Sequence, residues 1–233
     1  MVSKIPVSLE MGRRRVFASA LDWPGWCRSG RDEQGALAEL LAYGERYRAA
    51  LGTLADGFPQ PTHVSAFDVV EHLEGNATTD FGAPGIISES DRRPERADLQ
   101  RLAGLLEACW DAFDAAVDAA AGAVLRKGPR GGGRDLDAIV AHVREADKSY
   151  LARLGVRYRK EEDDDPSAEM NGVRRAILDT LSSFSRGEPP PRTTRARTLW
   201  PPPYFVRRSA WHALDHAWEI EDRAETATTE GPG

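Results

Sequence analysis

The sequence predicts an α+β chain in two parts: a small N-terminal module of hairpin, sheet and helix over residues 1–90, followed by an antiparallel four-helix bundle over 91–233. Three observations point to it. Through residue 75, short segments rich in β-branched and aromatic residues alternate with turn signals. From Pro94 onward, apolar residues recur at spacings of three and four, the period of a helix face. The segment "GEPPPRTTRARTLWPPP" places six prolines in one long extended connection, where the other helix connections are short.

In chain order, "KIPVSLE" and "RRVFASALD" flank Met11-Gly12-Arg13 and read as a β-hairpin. A Trp-Pro-Gly-Trp turn (23–26) and "CRSG" lead into "DEQGALAELLAYGERYRAALG". There Leu37, Leu40, Leu41, Tyr43, Tyr47 and Leu51 predict one amphipathic helix with Asp32 as its N-cap. A further strand is predicted in "THVSAFDVVEHLEG" (62–75), from Val64, Ala66, Val69 and Val70, closed by Gly75-Asn76. The bundle begins with a stripe of Leu99, Leu102, Leu106, Cys109, Phe113, Ala116, Ala120 and Val124, ended by "KGPRGGG" (127–133). A second helix spans Asp135 to Leu154 and a third 168–186, and Pro203 suits the first turn of a fourth. No internal repeat interrupts this plan.

A chain of 233 residues can bury a core without disulfides, and Cys27 and Cys109 fall in different elements, so both are expected as reduced thiols. No stretch approaches the roughly 18 apolar residues of a membrane span. The opening "MVSKIPVSLEMGRRRVF" lacks the apolar core of a secretory signal, so the expected location is cytoplasmic, with no membrane partner. A formal net charge of −6 argues against a general nucleic-acid binder. Charge is nonetheless uneven: "EEDDD" (161–165) is acidic, and "RTTRAR" (192–197) with Arg207 and Arg208 is basic. Both read as solvated surface, with an anionic-ligand site at the second as the minority alternative.

The chemistry is carried by histidine. In "SAWHALDHAWEIEDR" (209–223), His212 and His216 stand four apart and so share one helical face, a spacing that suits a common metal ion. Phe205, Ser209, His212, His216 and Glu219 form one stripe, and its aromatic member turns that face inward. His142, in register with Ile139 and Ala146 on the second helix, is the candidate third ligand. Three neutral imidazoles on one divalent ion leave a position open, the arrangement of a catalytic rather than a structural site. The pair alone is equally compatible with rings that cap carbonyls or pair with Asp215 and Glu219. Glu145, Asp215 and Glu219 are candidate orienting or catalytic carboxylates, each with the alternative of pairing with Arg208, Arg223 or similar residues. Trp211 and Trp218 read as core packing. His63 and His72, nine apart on no shared period, read as structural or surface residues.

"AIVAHVREADKSYLARLG" (138–155) and the last-helix H-x-x-x-H pair resemble the DinB-like metalloprotein superfamily, which includes mycothiol-dependent maleylpyruvate isomerases and thiol S-transferases. The resemblance covers residues 94–223. It implies a divalent metal, commonly zinc or nickel, held at one end of a four-helix bundle by His142, His212 and His216. A weaker likeness, over residues 4–75, is carried by "LDWPGWCRSGRDEQGALAELLAYGERY", which is similar to the HicB-type antitoxin pattern. It implies a small α+β domain that binds or mimics a partner. The toxin-neutralising role does not follow, because fold does not fix function and the DNA-binding appendage is absent; a cover or homodimerisation module is the expectation.

The leading functional expectation is a metal-dependent enzyme acting on a small molecule, as a transferase or isomerase that uses a low-molecular-weight thiol such as mycothiol. One alternative is a metal-dependent hydrolase. Another is a non-enzymatic binding or partner-neutralising protein that works through its N-terminal module.

Overall fold

The computed structural model describes residues 4–92, 98–127, 133–160, 165–188 and 192–224. It is a mixed α+β chain with one four-stranded sheet and, among the described residues, seven α-helices. Its contacts divide it into two compact units: residues 1–108 with 201–211, and residues 109–200 with 212–233. None of the described helices is long and apolar enough to cross a membrane.

In the first unit, β1 (Ile5–Met11) and β2 (Val16–Ala20) form the expected antiparallel hairpin, with Val7 opposite Ala20 and Leu9 opposite Ala18. β3 (Cys27–Gly30) extends the sheet antiparallel to β2. β4 (Phe67–Glu74) lies parallel to β1, giving the order β3-β2-β1-β4. The predicted strand over 62–75 therefore begins later than its apolar run, because Val64–Ala66 is a single 3-10 turn. The β1–β4 register shifts at Val7/Ser8, and Val70, the residue this skips, is left exposed.

The single helix expected after β3 is two: α1 (Glu33–Ala42) and α2 (Gly44–Leu51). Asp32 caps the first through the amide of Gly35, as its position predicts. The break has a specific cause. The Trp26 indole donates to the Leu40 carbonyl at 2.8 Å, the acceptor that the amide of residue 44 would use in an unbroken helix. Trp26 is fully buried and stacks on Tyr47, with Phe58 and Phe67 against its edges. Gly30 is obligatory where α1 starts, since a Cβ there would collide with the backbone of Gly35 and Ala36. A short helix not foreseen, α3 (Ala77–Phe81), follows β4 and is started by a capping box of Asn76 and Thr79.

The second unit contains the later residues of α4 (Leu99–Ala119), all of α5 (Leu136–Arg153) and α6 (Pro166–Ser185), and the later residues of α7 (Pro202–Ala224). Asp135 and Asp165 cap α5 and α6 through backbone amides, and Pro166 occupies the first turn of α6. Asp165 thus closes the acidic run; the rest of that run, and most of "KGPRGGG", lie outside the described residues. α4 ends sooner than its stripe predicts. The chain turns at Ala120–Gly122, where Gly122 takes φ +78°, and Val124 is exposed. α6 returns along α5, with Glu169 in its first turn bonded to Lys148 near the end of α5.

The core stripe of α5 is Ile139, Val143, Asp147 and Leu151. Asp147 is 1% exposed, and burial pushes its carboxyl up to about 7 despite the charge of Arg174, which Asp114 holds in a two-point ion pair. Its Oδ2, the indole N–H of Trp110 and the Nε of Arg174 are buried without a hydrogen-bond partner among the described residues.

Two expectations follow for stability. Trp26→Ala should cost about 3–5 kcal/mol in denaturant unfolding, because it removes the ring around which the first core is packed. For Asp147, the unfolded carboxyl titrates near 3.8 and the folded one near about 7. Below the lower value both states are protonated, and above the higher one the burial penalty is complete, at most about 4 kcal/mol. Stability is therefore lost as pH rises between them. Asp147→Asn should raise the thermal midpoint at pH 8 and leave it nearly unchanged at pH 4; an equal change at both would contradict this origin.

Candidate metal centre

His212 and His216 stand one turn apart on α7, so their rings leave the same face. His142 sits on α5, one position before the core residue Val143 and so at the edge of that helix's buried stripe. The three rings meet. Their centroids are 5.0 Å apart for His142 and His212, 5.0 Å for His142 and His216, and 4.7 Å for His212 and His216. One nitrogen of each ring lies within 4.8 Å of the other two, and this is the one such group of histidine, cysteine or carboxylate side chains among the described residues.

The three rings could hold a divalent ion, and one pair has the spacing this requires. Nitrogens ligating one zinc at 2.0–2.1 Å in tetrahedral geometry lie about 3.3 Å apart. The Nε2 atoms of His142 and His212 are 3.2 Å apart, a distance that also serves a ring-to-ring hydrogen bond. His212 and His216 are 7% and 9% exposed, whereas His142 is half-buried, so the group can be approached from its α5 side. The structure thus brings the three predicted ligands together.

The ring of His216 is oriented from behind. Its Nδ1 donates to Glu219 Oε2 at 2.8 Å, which leaves the Nε2 lone pair free to face the other rings. Arg223 Nη1 donates to the other oxygen of Glu219 at 2.6 Å. The remaining guanidinium N–H groups of Arg223 donate to the carbonyls of Arg126 at 2.8 Å and Arg134 at 2.6 Å. The hydrogen bond from His216, aided by Arg223, holds the Glu219 carboxyl below its usual range against the opposing effect of burial. The His142 imidazole is also held below its usual value, first by burial and then by the positive charge of Arg134, with Glu219 opposing. A lowered value favours the neutral ring, the form that can donate a lone pair.

The other candidate carboxylates are placed differently. Glu145 is exposed and pairs with Lys148 at 3.1 Å and Arg144 at 3.6 Å. Asp215 is half-buried on α7, one residue from His216 and so about 100° around the helix from it. Trp211 and Trp218 are buried core residues. His72 is exposed on β4 beside Glu33, and His63 precedes the 3-10 turn at Val64–Ala66; both belong to the first unit.

Arg207 and Arg208, expected on the solvated surface, are instead built into the first unit. Arg207 pairs with Asp91 and donates to the Leu21 carbonyl at 2.7 Å, and burial lowers its guanidinium to about 10. Arg208 donates to the Pro84 carbonyl. Of two residues near the three histidines, Arg223 is named by the sequence as a pairing partner for the carboxylates, and Tyr150 escapes it. Arg223 had a signal, its i,i+4 spacing from Glu219. Tyr150, whose ring lies 5.7 Å from that of His212 and 5.1 Å from that of Trp200, had none beyond its place on α5.

Because Glu219 fixes the His216 ring, Glu219→Gln should weaken divalent-metal affinity 10–100-fold in a competition titration with a chelating dye, with helix content unchanged. Equal affinity would mean that the carboxylate has no part in the centre. Compared with known proteins, the chain matches no family model, no curated protein and no solved structure, so the geometry of the centre itself bears the functional reading.

Proposed function

We propose that the chain is a divalent-metal-dependent enzyme of the DinB-like type, with its later helices arranged as an antiparallel four-helix bundle, which joins a low-molecular-weight thiol to a small molecule or isomerises it through that thiol. The observation that carries this reading is the meeting of His142, His212 and His216 within 4.8 Å, with a carboxylate behind one of them. An all-imidazole set suits zinc or nickel better than magnesium or calcium, which favour oxygen ligands. When bound, such an ion supplies a Lewis acid that lowers the pKa of a thiol or water near neutral pH.

The residues of the chain have separate tasks. His142, His212 and His216 hold the ion through neutral nitrogens. Glu219 accepts the His216 Nδ1 proton and keeps that ring in one tautomer, and Arg223 holds Glu219. The thiol is external, because the cysteines of the chain are unsuited: Cys109 is fully buried with its thiol pushed up by burial, and Cys27 is a buried residue of the sheet. The order β1-β2-β3-α1 in the first unit supports its reading as a HicB-like module, and its role is a cover or dimerisation surface rather than toxin neutralisation.

The test is a conjugation assay with tag-free, zinc- or nickel-loaded protein, mycothiol and chlorodinitrobenzene, followed by mass spectrometry. Expected are thioether conjugates that depend on the metal and fall at least a hundredfold in His142→Ala. Hydrolysis of an ester without any thiol, and no conjugate, would overturn the thiol reading in favour of a hydrolase.

A further inference from the structure

A groove of about 920 Å³ runs along α5 within the second unit. It occupies the helix face that also carries His142. Positions 142, 145, 149 and 152 follow one another at helical spacing, and Glu145, Ser149 and Ala152 line the groove. Ser149 is thus about 10 Å along the helix from His142.

The opposite wall is built rather than incidental. Gly155, at φ +99°, ends the α5 turn and offers its carbonyl to the amide of Thr193 at 2.8 Å. The Thr193 hydroxyl accepts from the amide of Arg157 at 2.9 Å, and the amide of Trp200 donates to the Arg153 carbonyl at 2.8 Å. Tyr158, another lining residue, lies against α6 at Gly172, where a Cβ would collide with its hydroxyl.

The lining is cationic: Lys148, Arg157, Lys160 and Arg195 against Glu145 alone. Lys148 and Lys160 share the buried Glu169. Arg157 and Arg195 pair with no carboxylate among the described residues, although the chain as a whole is acidic. These two guanidinium groups, with the Thr193 hydroxyl in the same lining, match the acceptor oxygens of a carboxylate or phosphate.

We propose that this groove binds the anionic end, carboxylate or phosphate, of a small molecule whose other end reaches the three histidines. What happens at that far end rests on the proposed function; the anion site does not. The test uses the full chain, metal-loaded and tag-free, in calorimetric titrations at low ionic strength with inorganic phosphate and with succinate as probes. Saturable binding of at least one probe is expected, weakened tenfold or more in R157Q/R195Q with metal content unchanged, and retained in His216→Ala. No saturable binding, or equal binding in R157Q/R195Q, would overturn the groove. If the wild-type chain takes up no metal while R157Q/R195Q still abolishes probe binding, the groove stands and the enzyme reading falls.

Discussion

The candidate centre depends on one constraint, that α5 and α7 bring one nitrogen of each of three imidazoles within 4.8 Å of the others. To hold one ion, three such rings need lone pairs that converge, and something must fix which nitrogen of each ring bears its hydrogen. Glu219 does this for His216, at a distance typical of a strong charge-assisted bond. Arg223 donates to the other oxygen of Glu219, and two backbone carbonyls hold Arg223 in place. The His142 imidazole is held below its usual value, first by burial and then by the nearby Arg134.

The second helix is held in position accordingly. Asp135 fixes where α5 begins, and Ile139, Val143 and Leu151 bury its stripe, so His142 falls at the stripe's edge. Lys148 and Arg144 tie α5 to Glu169 on α6, and the Asp114–Arg174 pair ties α6 to α4. These polar links are costly to bury, and at Asp147, as at the Trp110 indole and the Arg174 Nε, the cost is not fully met. A core carboxyl kept near neutrality by burial exchanges some stability at alkaline pH for a polar core whose partners are restricted.

Much of this was legible in the sequence because the informative residues lie on regular helices. An i,i+4 pair states its own geometry, and His142 could be ranked by its register with Ile139 and Ala146. Aspartates before helix starts, such as Asp32 and Asp135, marked boundaries that the structure keeps. What was not legible depended on contacts distant in sequence. The break at Tyr43 comes from the Trp26 indole, seventeen positions earlier, placed against Leu40 by the fold of the sheet. Arg207 and Arg208 look like surface charge until Asp91 and the carbonyls of Leu21 and Pro84 surround them. The cationic groove required the 192–200 segment to fold back on Arg153 and Gly155, which no local pattern announces. The apolar stripe of α4 overran its true end because periodicity alone gave Gly122 too little weight.

The most direct measurement is X-ray absorption at the metal edge on tag-free protein loaded with one equivalent of zinc or nickel. Three imidazole nitrogens at about 2.0–2.1 Å are expected in the wild-type chain, falling to two in His142→Ala. A wild-type spectrum with fewer than three imidazole ligands, or one that His142→Ala leaves unchanged, would contradict the claim that α5 and α7 together form one metal centre.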